Sequence, residues 1–117
     1  MQNFTSPLEA FAYWVKNTPN QVFLRQPFDR TFTEYTYQEA DLEVRKIATA
    51  LQDMGLSNGA HVALLSKNCA HWIMTDLAIM MAGCVSVPIY PTLSGEAIKE
   101  ILVHSESKAI IVGKLEL

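Results

Sequence analysis

From residue 38 onward the sequence alternates between two hydrophobic periods, in the order helix, strand, helix, strand, helix, strand. Ala40, Val44, Ile47, Ala48, Leu51 and Met54 form one apolar stripe, with Gln38, Asp41, Glu43, Arg45, Lys46, Gln52 and Asp53 elsewhere on the cylinder. That spacing predicts an amphipathic helix, with Gly55 as its left-handed cap. His61 to Leu65 is a short apolar run without alternation, the pattern of a strand covered on both faces. Residues 69–82 are apolar almost all round, as in a buried helix. Val85 to Ile89 reads as a second buried strand. Ser94 caps a third helix with Ile98, Ile101 and Leu102 on its buried side, and Ala109 to Val112 is a further strand. The expected fold class is therefore α/β, a mainly parallel sheet with right-handed crossovers and flanking helices.

Two elements precede this series. Ser6-Pro7-Leu8-Glu9 starts an N-terminal helix, with Ser6 as cap, Pro7 at the first position and Glu9 expected to complete a capping box. Leu8, Phe11, Ala12 and Val15 repeat at helical spacing, and Thr18-Pro19 ends the element. Val22–Arg25 and Arg30–Thr36, separated by Pro27-Phe28-Asp29, read as a small β-hairpin. Thr36-Tyr37-Gln38-Glu39 is a second capping box.

Composition narrows the function classes. Half of the 117 residues are hydrophobic and the net charge is −3, which excludes intrinsic disorder. No basic run exists to neutralise phosphates, so nucleic acid is not an expected partner. The longest apolar region, Ile73 to Tyr90, contains Asp76, Gly83 and Pro88 and is read as helix then strand, not a membrane span. Met1-Gln2-Asn3-Phe4 lacks the basic start and apolar run of a secretory signal. Cys69 and Cys84 make no disulfide framework. The expected location is the cytoplasm, with peripheral contact at the inner face of a membrane left open.

The search for chemistry yields little. Neither GxGxxG nor GxxxxGK[ST] is present, and there is no HExxH or CxxC. Cys69 and His71 lie two apart, but His61, His104 and Cys84 are scattered, unlike the paired ligands of zinc sites. Ser66, His71 and Asp76 contain the residue types of a triad, without a nucleophile elbow around Ser66. Turn and cap roles are preferred for them. Asp76 is expected to face outward or to pair with a neighbour. In open parallel sheets ligands sit beyond the carboxyl ends of the strands. That edge carries Ser66, Lys67 and Asn68 after one strand, and Tyr90, Pro91, Thr92 and Ser94 after the next, though these are also ordinary turn and cap residues.

Several segments, in order, carry a resemblance. Tyr35-Thr36-Tyr37-Gln38-Glu39, Gly55-Leu56, Gly59-Ala60-His61-Val62-Ala63-Leu64 and Ser66-Lys67-Asn68-Cys69-Ala70-His71-Trp72 resemble the opening of adenylate-forming (AMP-binding) acyl-CoA synthetases. Ile79-Met80-Met81-Ala82-Gly83-Cys84-Val85-Ser86-Val87-Pro88-Ile89-Tyr90-Pro91-Thr92 is similar to the family's second core motif, and its Pro-Ile-Tyr-Pro-Thr form is most like the long-chain fatty acid branch. The closing Ile101-Leu102, Ser105 and Lys108 to Gly113 also fit. The resemblance implies ATP-dependent activation of a carboxylate to an acyl-adenylate with release of pyrophosphate, then transfer to the coenzyme A thiol with release of AMP. It implies fatty acid, ATP, Mg2+ and CoA for a full-length parent.

The family's phosphate loop, its adenine and ribose motifs and its C-terminal lysine-bearing domain are expected downstream. Residues 1–117 are thus expected to be an incomplete N-terminal portion of the large N-terminal domain. Gly83, Pro88 and Pro91 read as architectural. No catalytic, cofactor-binding or metal-binding residue is assigned, and the fragment alone is expected to bind no cofactor and to be inactive. Self-association of the fragment is left open. The alternatives are a self-contained flavodoxin-like binding module and a structural or interaction domain.

Overall fold

The computed structural model describes residues 3–115; Met1-Gln2 and Glu116-Leu117, which open and close the segments read above, lie outside the described residues. Helix α1 spans Pro7–Asn17, and its cap Ser6 accepts a hydrogen bond from the Glu9 amide at 3.1 Å. The reciprocal half of the expected capping box does not form. The Glu9 carboxylate instead accepts from the amide of Thr5, at 3.3 Å, and from the Thr5 hydroxyl. Thr5, one residue further out, engages it with both its amide and its hydroxyl.

Strands β1 (Val22–Phe28) and β2 (Thr31–Thr36) pair antiparallel. The hairpin is longer than its sequence suggests. Pro27 lies within β1 opposite Phe32, and the turn contracts to Asp29-Arg30, with Asp29 at φ 57°. A two-stranded ribbon has an open edge along each strand, where proline's missing N–H is tolerated. Helix α2 (Tyr37–Asp53) begins with a complete capping box. The Glu39 amide donates to Thr36 Oγ1 at 3.1 Å, and the Thr36 amide donates to Glu39 Oε1 at 3.0 Å. Ala40, Val44, Ala48 and Leu51 are buried along the predicted stripe. Met54 departs from it: it sits at the helix end, 61% exposed, because the chain turns away at Gly55 (φ 76°).

The remaining elements are β3 (His61–Leu65), α3 (Ala70–Met81), β4 (Val85–Ile89), α4 (Gly95–His104) and β5 (Ala109–Val112). The three strands form a parallel sheet in the order β4-β3-β5. The step from β3 to β4 and the return across β3 to β5 run in opposite directions, so right-handed crossovers put α3 and α4 on opposite faces. Central β3 is covered on both, and Val62, Ala63 and Leu64 are all buried. Helix α3 is apolar all round because it lies between two packed layers. Met74, Leu77 and Ala78 pack with Phe11 of α1 and Ala40, Val44 and Ala48 of α2. Ile79 instead joins Leu51, Val62 and Leu64 beneath the sheet.

Two expectations need correction. Strand β4 is not fully buried: only Ile89 is, and Val85 is 46% exposed, because β4 has a paired neighbour on one side only. Ile98, Ile101 and Leu102 of α4 are half-buried and no residue of α4 is buried. The alternation of residue types fixes which side faces inward, but the depth of cover depends on neighbours that one short helix and two edge strands do not have.

Candidate functional site

The carboxyl edge of the sheet is where the topology points, and it is built chiefly as a latch. Ser66, just past β3, is 3% exposed. Its hydroxyl donates to the Lys67 carbonyl at 2.9 Å and accepts from the Lys114 amide at 3.0 Å. The Lys67 amide donates to the Lys114 carbonyl at 2.8 Å, and the Gly113 amide to the Leu65 carbonyl at 2.9 Å. The ends of β3 and β5 therefore continue pairing beyond the strands. A Cβ on Gly113 would lie 2.6 Å from Ser66 Oγ and 2.8 Å from Ser66 Cβ, so only glycine permits this approach. After β4, Tyr90 is 69% exposed and Ser94 caps α4 by accepting from the Ala97 amide at 3.1 Å.

Between this edge, the hairpin and the start of α3 lies a cleft of about 480 Å3, whose polar lining includes Gln26, Tyr35, Cys69, His71, Thr75 and Lys114. Cys69 is half-buried at the α3 cap position and makes no side-chain capping bond. The first α3 amide is satisfied from a distance: Ala70 N–H donates to Gln26 Oε1 of β1 at 2.7 Å. No local pattern reports a cap donated from 44 residues away, and sequence reasoning missed it. Gly113 was likewise missed, since its requirement comes from Ser66 and not from its own backbone angle.

The residues singled out by type are not brought together. Ser66 is engaged by backbone groups, His71 is exposed with its ring edge-on to Tyr35 at 6.0 Å, and Asp76 lines a different groove beside α1. His61 Nδ1 is 2.7 Å from the Ser105 carbonyl, so that nitrogen donates and ties the end of α4 to the start of β3. Cys84 is buried in the core. Among the described residues no three His, Cys, Asp or Glu side chains are grouped to hold a metal ion. The edge amides of Lys67, Gly113 and Lys114 are already bonded within the chain, so these three are not free to cradle a phosphate. No described helix is long and apolar enough to cross a membrane.

The family described as AMP-binding enzyme matches residues 11–117. The long-chain-fatty-acid–CoA ligase FadD15 of Mycobacterium bovis is 33% identical over 92 residues, covering 79% of this chain and 15% of that protein. Long chain acyl-CoA synthetase 2 of Arabidopsis thaliana is 30% identical over 112 residues, covering 92% of this chain and 17% of that protein. Among solved structures, a fatty acid AMP ligase from Legionella pneumophila superposes with a TM-score of 0.82 at 24% identity, covering 90% of this chain and 19% of that one. The N-terminal subdomain of NpsA from Klebsiella oxytoca gives 0.80 at 23% identity, covering 97% and 30%. At those identities the structural likeness shows the fold alone. The chain spans about 15% of the length of the first curated relative it matches. The match across residues 11–117, on an α/β fold shared with these structures, means that the chain belongs to the AMP-binding enzyme family.

Proposed function

We propose that this chain is the scaffold-forming opening section of an ATP-dependent fatty acyl-CoA ligase. The whole protein would join a fatty acid to ATP, forming the acyl-adenylate and releasing pyrophosphate. CoA thiol would then displace AMP to give the thioester. The observation that carries the reading is the family match over residues 11–117, and the fatty acyl ligases among the relatives support the substrate class. Residues 1–117 would form part of the large adenylate-forming domain, their role being to set the sheet edge and not to supply catalytic groups. ATP, Mg2+ and CoA would be held by residues outside this chain. The long-chain branch rests on Pro88-Ile89-Tyr90-Pro91-Thr92. A cytoplasmic enzyme that touches a membrane surface to collect its substrate would be consistent with that branch. If the chain stands alone, Val85, Ile110 and Val112, each more than 40% exposed along the sheet, favour self-association.

The test is pyrophosphate release with ATP, Mg2+, CoA and a series of carboxylic acids. The 117-residue chain should give none above a blank, whereas the whole protein should prefer long-chain fatty acids. Turnover by the chain alone would overturn the scaffold role. Activity confined to amino or aryl acids would overturn the fatty acyl assignment.

A further inference from the structure

Ser57-Asn58-Gly59 leads from α2 into β3, and Asn58-Gly59 is the one Asn-Gly pair in the chain. The Ala60 amide donates to the Ser57 carbonyl at 3.0 Å, which closes a β-turn over residues 57–60. Gly59, third in the turn, has φ 85°, and Asn58 takes no positive φ, the type II pattern. This turn is fastened to the chain just past α3. The Gly59 amide donates to the Gly83 carbonyl at 2.7 Å. The Asn58 carboxamide rests against Gly83, where an added Cβ would lie 2.5 Å from Asn58 Oδ1. Asn58 is nevertheless exposed, so water reaches it.

An Asn-Gly peptide carries its own nucleophile. The Gly59 backbone nitrogen can bond to Asn58 Cγ, giving up its proton to water, while the Cγ–Nδ2 bond breaks and ammonia leaves. With no Cβ on Gly59, nothing crowds that approach. Water then opens the resulting cyclic imide at one carbonyl to aspartate, or at the other to isoaspartate. The balance is water in and ammonia out, with no oxidation or reduction. In the folded chain the proton of the attacking nitrogen is held by the Gly83 carbonyl, and the carboxamide is seated on Gly83. Ring closure therefore waits until the turn lifts away. We propose that Asn58 is a site of spontaneous deamidation whose rate is set by the opening of this turn from Gly83. The same opening exposes the Gly59 N–H to solvent exchange, so the two rates share one factor. Isoaspartate lengthens the backbone between residues 58 and 59 and puts the Ser57–Ala60 and Gly59–Gly83 bonds out of register. The Val85 amide donates to the Ala60 carbonyl at 2.9 Å, so the damage falls where β3 and β4 begin to pair.

The full chain is incubated at mildly alkaline pH, folded in buffer and unfolded in urea, at one pH and temperature. Deamidation is read by mass spectrometry of the tryptic peptide 47–67, in which Asn58 is the only asparagine, and exchange of the Gly59 amide is read by NMR. The folded chain should deamidate at least about tenfold more slowly than the unfolded one, by a factor within about threefold of the Gly59 exchange protection. Gly83→Ala, whose Cβ would displace the carboxamide, should speed both processes together. Equal deamidation in buffer and in urea would overturn the proposal. So would an absence of product in urea, or a strongly protected Gly59 amide in a chain that deamidates at the unfolded rate. If Gly83→Ala loses its fold by circular dichroism, the comparison of the unaltered chain in buffer and in urea still decides the matter.

Discussion

The latch between the ends of β3 and β5 predicts that Gly113→Ala is among the most disruptive one-methyl changes in the chain. The added Cβ would fall 2.6 Å from Ser66 Oγ and 2.8 Å from Ser66 Cβ. A flexible surface side chain would swing away, but Ser66 is 3% exposed and is held by the Lys67 carbonyl and the Lys114 amide. Either the β5 end shifts or Ser66 gives up those bonds. Overpacking of this kind typically costs about 1–3 kcal/mol, and a lost hydrogen bond about 1 kcal/mol more. The expected destabilisation is therefore roughly 2–4 kcal/mol. In urea, with a slope of about 1.5 kcal/mol/M, the midpoint should fall by more than about 1 M with the slope unchanged. Ser66→Gly removes both clashing atoms. It should destabilise alone, through the orphaned Lys114 amide, yet recover at least about 1 kcal/mol of the alanine penalty in the double variant. A Gly113→Ala chain within about 0.5 kcal/mol of the parent would refute the latch. So would strict additivity of the two changes.

Other changes probe other links of the same chain. Thr36→Ala removes the side-chain half of the α2 capping box, leaving the Thr36 amide to Glu39 bond in place, and should lower stability by about 1 kcal/mol, read from thermal unfolding by circular dichroism. Met74→Ala empties a fully buried position between α2 and α3 and should cost about 2–5 kcal/mol in the same assay. Gln26→Ala removes the distant cap on the Ala70 amide and should cost about 1 kcal/mol while raising hydrogen exchange at the first turn of α3; Gln26→Glu, which keeps an acceptor, should not.

What the sequence disclosed and what it withheld divide along the range of the interaction. The capping box at Thr36, the stripe of α2 and the left-handed cap at Gly55 depend on residues within a few positions, and all are legible in order along the chain. The parallel sheet was legible for a different reason, since alternating periods leave few topologies once crossovers are right-handed. Neither source of information reaches across the fold. Gln26 capping Ala70, His61 tying Ser105 and Ser66 requiring Gly113 all join residues more than 40 apart. Glu9 shows the limit even at short range, because Thr5 competes for the carboxylate that Ser6 was expected to hold.

The same division explains why candidate chemistry could not be read from residue types. Ser66, Lys67 and Asn68 stand on the ligand-prone edge, as topology requires. A serine in that place is equally able to attack a substrate or to fasten a strand, and one serine differs from another only through its partners. Here the partners are a carbonyl and an amide of the backbone, so the hydroxyl is spent on positioning β5 and has no base to activate it. Asp76 presents the opposite case. Of the two expectations for it, outward-facing or paired, the structure gives the first: Asp76 lines the open groove beside α1 and makes no hydrogen bond or ion pair with a described residue. Polar groups that the fold has satisfied hold the scaffold together, whereas a carboxylate that reaches water needs no partner from the fold, and its residue type alone assigns it no chemistry.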